Sequence, residues 1–205
     1  MYLSKTFTPA AASLTGYASN VTGASWTIST TSSSDSLAHQ VTIRNDSVTD
    51  HSAKTVILTG TDADGIAQTE TMNLPGTSAT VTSTKFFKTL LTAVPSATIG
   101  ADTMDIGWAA TSHTQTIGLE RFSTVGAAVT IDISGTINFT AYETPSSFID
   151  TPAQNGSWTS ITALAAKTAD TAGSTTASMQ CFRVGVNSVT AGATMKVVVS
   201  HSVGL

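Results

Sequence analysis

Apolar and polar positions alternate most regularly between Val129 and Tyr142. Val129, Ile131, Ile133, Gly135, Ile137, Phe139 and Ala141 fall on odd positions, and Thr130, Asp132, Ser134, Thr136, Asn138, Thr140 and Tyr142 on even ones. A period of two puts each set on one face of a strand. The run therefore predicts one long strand bent at Gly135, or two strands in continuous register, with the odd face buried. Met104, Ile106 and Trp108 alternate with Asp105 and Gly107 in the same way, as do Val41 and Ile43 with Thr42 and Arg44. Trp26 and Ile28, set between Thr27 and Ser29, predict an earlier strand.

Turn chemistry divides the middle of the chain. The apolar run Val56-Ile57-Leu58 closes at Gly60, and Asp62-Ala63-Asp64-Gly65 supplies the residues of a tight hairpin turn. A second strand follows over residues 68–74 and stops at Pro75-Gly76. Residues 80–91, rich in Thr and Val around Phe86-Phe87, continue the pattern, which over 54–110 predicts an antiparallel meander. Residues 179–186 and 195–199 read as a hairpin over a turn at Gly192. The sole stretch with helical propensity, residues 163–167, is too short for a stable helix.

Around these elements, residues 1–24 are small and polar and predict an N-terminal arm. Residues 25–112 predict a β-sandwich domain. Residues 113–205 predict a second sandwich domain, or the second half of one large sandwich, with a boundary near 111–116. Composition agrees with an all-β chain. It has 39 threonines, and a β-branched residue with a hydrogen-bonding tip suits the wet face of a sheet and disfavours helix interiors. The expectation is two packed antiparallel sheets, as one sandwich or two in succession.

Charge narrows the function classes. Charged residues are 11% of the chain, the net charge is -4, and the basic residues are scattered singly. Neutralising phosphates takes a basic cluster, so no nucleic-acid partner is expected. No apolar run approaches the ~18 residues of a membrane span, and the start lacks the pattern of a signal peptide, so no membrane association is expected. The single cysteine, Cys181, excludes an internal disulfide and reads as a small buried hydrophobe.

Candidate chemistry is sparse. Asp62, Asp64 and Gly65 with Glu70 share the opening of a calcium loop but lack its third oxygen donor and its glutamate spacing, so a hairpin turn is the better reading. His39, His51, His113 and His201 have no metal-ligand spacing, and no metal or cofactor is expected. No nucleophile elbow or phosphate-cradling glycine loop occurs, and Glu120 and Glu143 are lone acids, so no catalytic residue is singled out.

The segment TVILTGTDADGIAQTETMNLPG, the KFFKT run and DTMDIGWA resemble a stretch common in structural proteins of tailed bacteriophages. A weaker likeness covers residues 137–200. The resemblance implies a virion protein, made in the host cytoplasm, whose first-choice role is capsid decoration (cement). A neck or tail component (an adaptor, a collar or a fibre base) is the alternative. It implies a homo-oligomer, a trimer by preference, with the major capsid protein or neck and tail proteins as partners. Interface energy concentrates in large rigid side chains, which makes Tyr2, Phe7, Tyr17, Phe86 and Phe87 the candidate interface residues. A host-glycan-binding module is the rival from another class, with Trp158 beside Asn155 as its only sequence support.

Overall fold

The computed structural model describes residues 2–119, 126–145, 157–176 and 179–200. The strands run in chain order as β1 (Tyr2–Phe7), β2 (Ser13–Val21), β3 (Ala38–Asn45), β4 (Thr55–Thr61), β5 (Ala67–Asn73), β6 (Thr80–Phe87), β7 (Thr89–Pro95) and β8 (Met104–His113). They continue as β9 (Ile117–Gly118), β10 (Ala128–Ser134), β11 (Ile137–Thr144), β12 (Thr159–Ser160), β13 (Thr171–Ser174), β14 (Cys181–Val189) and β15 (Thr194–Ser200). Every registered pair is antiparallel, and the fold is all-β. The helical propensity near 163–167 yields one 3-10 turn, Thr162–Leu164. No helix among the described residues is long and apolar enough to cross a membrane.

The chain forms two compact units. The central unit is Ala11–Ser112, and the terminal unit combines Met1–Ala10 with His113–Leu205. The expected N-terminal arm over 1–24 is therefore corrected: its first part is β1, a strand of the terminal unit, and its second part is β2, a strand of the central unit. What the sequence pattern hid is how close β2 and β8 lie. A Cβ at Gly107 would overlap the Ser13 carbonyl oxygen, and one at Gly16 would overlap the Trp108 ring. Two glycines thus let a polar, weakly hydrophobic segment lie close against its neighbour. Tyr17, Ala18 and Val21 then reach the core.

In the central unit, β2, β8, β3 and β6 form one sheet, in that order, and β5, β4 and β7 the other. Their inward residues share one core: Val41 and Ile43 from β3, Phe87 from β6, Met104 and Ile106 from β8, Val56 and Leu58 from β4, and Leu90 and Ala93 from β7. Each of these side chains contributes roughly 1.5–3 kcal/mol when buried, alanine less, so this shared interior holds the two layers together. The expected meander is only part of the truth. β4 and β5 make the hairpin predicted around Asp62, but β6 pairs with β3 in the opposite sheet and β7 returns to β4. The Leu74-Pro75-Gly76 turn carries the chain across the core, with Leu74 buried. Trp26 is buried too, from a loop and not from the strand expected there.

In the terminal unit, β1, β15, β10 and β13 form one sheet, and β12, β11, β14 and β9 the other. The regular alternation over 129–141 resolves into β10 and β11, whose odd residues Val129, Ile131, Ile137, Phe139 and Ala141 are buried. The two strands belong to different sheets, so the turn at Gly135 crosses the core. The expected C-terminal hairpin is corrected in the same way: β14 pairs with β11, and β15 with β10 and β1. The two crossing turns meet, with Thr190 N–H donating to the Thr136 carbonyl at 3.0 Å.

Candidate functional site

The polar residues that sequence reading weighed as chemistry serve the fold. Asp62 Oδ1 accepts from the N–H groups of Asp64 and Ile66, both at 2.9 Å, and so shapes the β4–β5 turn. Burial holds this carboxyl above the usual aspartate range against those donors. Glu70 faces away from the turn and accepts from Thr84 N–H, Thr84 Oγ1 and Lys85 N–H at 2.8 to 2.9 Å, tying β5 to β6. The structure does not bring Asp62, Asp64 and Glu70 together as a calcium loop. Among the described residues no group of three or more His, Cys, Asp or Glu is placed to hold a metal ion. Glu143 accepts from Thr176 N–H and Oγ1 at 2.7 Å, Cys181 is buried, and Glu120 lies outside the described residues.

Each described histidine has a definite structural setting. His39 is buried, with Nδ1 2.9 Å from the Ala109 carbonyl and Nε2 2.7 Å from Asp35 Oδ2. The ring thus bridges the Ala109 carbonyl and the Asp35 carboxyl. Asp35 Oδ1 accepts from Ser33 Oγ and Leu37 N–H, which fixes the loop leading into β3. At His51 the roles differ. Lys54 Nζ can only donate to Nδ1, at 3.1 Å, so Nε2–H donates to Asp102 at 2.9 Å. His113 sits in the terminal unit beside Tyr142, and burial, with help from the positive Arg183, pulls it down to about 3. His201 lies outside the described residues.

Arg183 also bears on the glycan reading. Its guanidinium lies over the Trp158 ring, 4.1 Å from the centroid, and 5.8 Å from that of Tyr142. The cation occupies one face of the indole that a sugar ring would stack on. Asn155 lies outside the described residues.

The candidate interface aromatics separate into two groups. Phe87 is fully buried, Tyr17 packs edge-on to Trp108 in the core, and Phe7 is 4% exposed with Lys5 Nζ over its ring. These three are corrected to core residues: alternation turns Phe7 and Phe87 inward, while Tyr17 and Ala18 are both buried where β2 lies close against β8. Burial, with Asp35 adding to it, pushes the Tyr17 hydroxyl far above its ordinary range. Phe86, on the other face of β6 from Phe87, is partly buried, and its carbonyl accepts from Gln68 at 2.6 Å. Tyr2 opens β1, and its side chain lies outside what the structure describes.

What sequence reading missed is the outer face of the β5-β4-β7 sheet. Ile57, Leu91 and Val94 are 47%, 54% and 52% exposed there. Ile57 is opposite Val94 on β7 and Thr71 on β5, and the next row is Thr69, Thr59 and Thr92. Thr59 pairs with Thr92 and Gly60 with Leu90, so Leu91 is the extra residue of a bulge that turns its side chain outward. Gly60 permits this, since a Cβ there would overlap the Thr89 carbonyl oxygen. The residues of these rows carry no charge. Among the described strands β7 pairs with β4 alone, and on its other edge the Thr31 carbonyl accepts from Leu90 N–H at 2.8 Å, so a loop covers that edge in part. The missed signal was legible: Ile57 lies between inward Val56 and Leu58, and Leu91 directly follows inward Leu90.

No protein-family model, curated protein or solved structure matches this chain.

Proposed function

We propose that this chain is a structural subunit of a tailed-phage particle, a capsid decoration protein that docks on the major capsid protein through the outer face of its β5-β4-β7 sheet. The observation that carries the reading is the half-exposed, uncharged cluster of Ile57, Leu91 and Val94, built by the very segment whose sequence resembles phage structural proteins. Apolar side chains gathered at one face suit a protein partner better than water. The reading gives the chain no reaction to catalyse and no cofactor to hold. It places the chain in the virion, after synthesis in the host cytoplasm, as a homo-oligomer with a trimer first, since closed symmetry is the common way for identical subunits to assemble.

Copy number per particle tests this reading. Quantitative mass spectrometry of purified virions is expected to find the chain at hundreds of copies, as a capsid lattice would require. Six or twelve copies would move it to the neck or tail, as an adaptor, collar or fibre base, and its absence from virions would overturn the reading.

A further inference from the structure

Leu91 is a residue that the strand ladder does not use. On β4 the pleat alternates without a break: Val56, Leu58 and Gly60 are buried, and Ile57, Thr59 and Thr61 are not. β7 breaks step once. Leu90 and Ala93 are buried, and between them stand two exposed residues, Leu91 and Thr92, where a regular strand has one. The pairs on either side are ordinary, with Gly60 opposite Leu90, Thr59 opposite Thr92 and Leu58 opposite Ala93. Leu91 therefore has no register partner on β4. If it were removed, Leu90 and Thr92 would become neighbours. The inward set of Leu90 and Ala93 and the outward set of Thr92 and Val94 would keep their faces, because alternation would then run through the strand unbroken.

The bulge constrains β4 as well. Gly60 lies against it, where a Cβ would overlap the Thr89 carbonyl oxygen, so β4 gives up a core side chain at that point. An extra residue that re-aims a side chain is a built feature of a sheet, often found beside a functional surface.

We infer that this bulge is a docking device: Leu91 is an added residue, held out of the ladder so that its side chain enters an uncharged apolar recess on the major capsid protein. The inference rests on the docking reading above and names the side chain that anchors it. Ile57 and Val94 are register partners and shield one another, whereas Leu91 has no such partner and can be enclosed by another protein. The pairs on either side of it, Thr59 with Thr92 and Thr61 with Thr89, offer no charge for a partner to match. The hydroxyls of Thr61 and Thr89 already bond one another at 2.7 Å. A recess without charge is what such surroundings suit.

Deletion of Leu91 tests the inference, with Leu91→Ser as a second variant that keeps the chain length. Each protein is mixed with virions grown without the chain, the bound fraction is measured after sedimentation, and calorimetry gives the melting temperature. The deletion variant is expected to melt within about five degrees of the parent or above it. Both variants are expected to bind at least about tenfold more weakly than the parent. A larger fall in the melting temperature on deletion would show that the sheet needs Leu91, and would overturn the inference. Parent-like binding by both variants would overturn it and leave docking through Ile57 and Val94 standing. Weak binding by the deletion variant alone would assign the effect to the path of β7 and not to the side chain, and would overturn it too. No binding of the parent would overturn the docking reading itself, and the inference with it.

Discussion

Asp35 and His39 place the strongest demand on single side chains. Both side chains are nearly inaccessible, the carboxyl satisfies two further donors, and the ring bonds a backbone carbonyl, so neither group can turn to water if the other is removed. Asp35→Ala is expected to lower unfolding stability by about 2 kcal/mol, because Ser33 Oγ, Leu37 N–H and the His39 ring all lose their partner. Urea denaturation of the two proteins measures it. His113 makes a different prediction, in pH. Its ordinary value is 6.5 and its folded value about 3, so as pH falls below 6.5 the unfolded chain takes up a proton that the folded chain refuses. Stability is unaffected by this group above that range and falls between pH 6.5 and 3, by at most about 1.4 kcal/mol per unit. Asp50 and Asp102 are held below the usual carboxylate range by hydrogen bonds, so their contribution is lost only at lower pH. His113→Gln should therefore flatten the slope of melting temperature between pH 4.5 and 6.

At the scale of elements, the packing of β2 on β8 depends on glycine. Gly107→Ala has no room for its Cβ against Ser13 and Leu14. It is expected to cost about 2 kcal/mol, as overpacking does. Hydrogen exchange should show it as faster exchange along β2 with little change in β10 or β15. The same pair shows what was legible in the sequence. Period-two alternation identified β3, β8, β10 and β11, and turn residues identified the β4–β5 hairpin, because both signals are local. Partners were not legible. β10 and β11, and again β14 and β15, follow one another through short turns that look like hairpins, yet each turn crosses the core to the opposite sheet. Nothing in a short polar turn distinguishes the two outcomes, since the choice lies in which distant strand is waiting. β1 and β2 were missed because their apolar content is low, and the close approach at Gly16 and Gly107 is visible only in three dimensions. The candidate interface was misplaced for a related reason. Aromatic size drew attention to Phe7, Tyr17 and Phe87, which are buried, while the smaller Ile57, Leu91 and Val94 stayed outside.

Across the two β units, which carry few charges and many hydroxyls, the half-exposed cluster of Ile57, Leu91 and Val94 is the surface proposed to meet a partner. Docking through that cluster is the central claim, and binding to particles tests it most directly. Purified chain is mixed with virions grown without it, the particles are sedimented, and the bound fraction is measured for the parent and for Ile57→Thr/Leu91→Ser/Val94→Thr. Threonine keeps the β-branched shape that β4 and β7 prefer, so the melting temperature should stay within about two degrees of the parent. The account predicts saturable binding of the parent and at least a tenfold weaker affinity of the variant, equivalent to about 1.4 kcal/mol. Equal binding of parent and variant, or no binding of the parent, would contradict it.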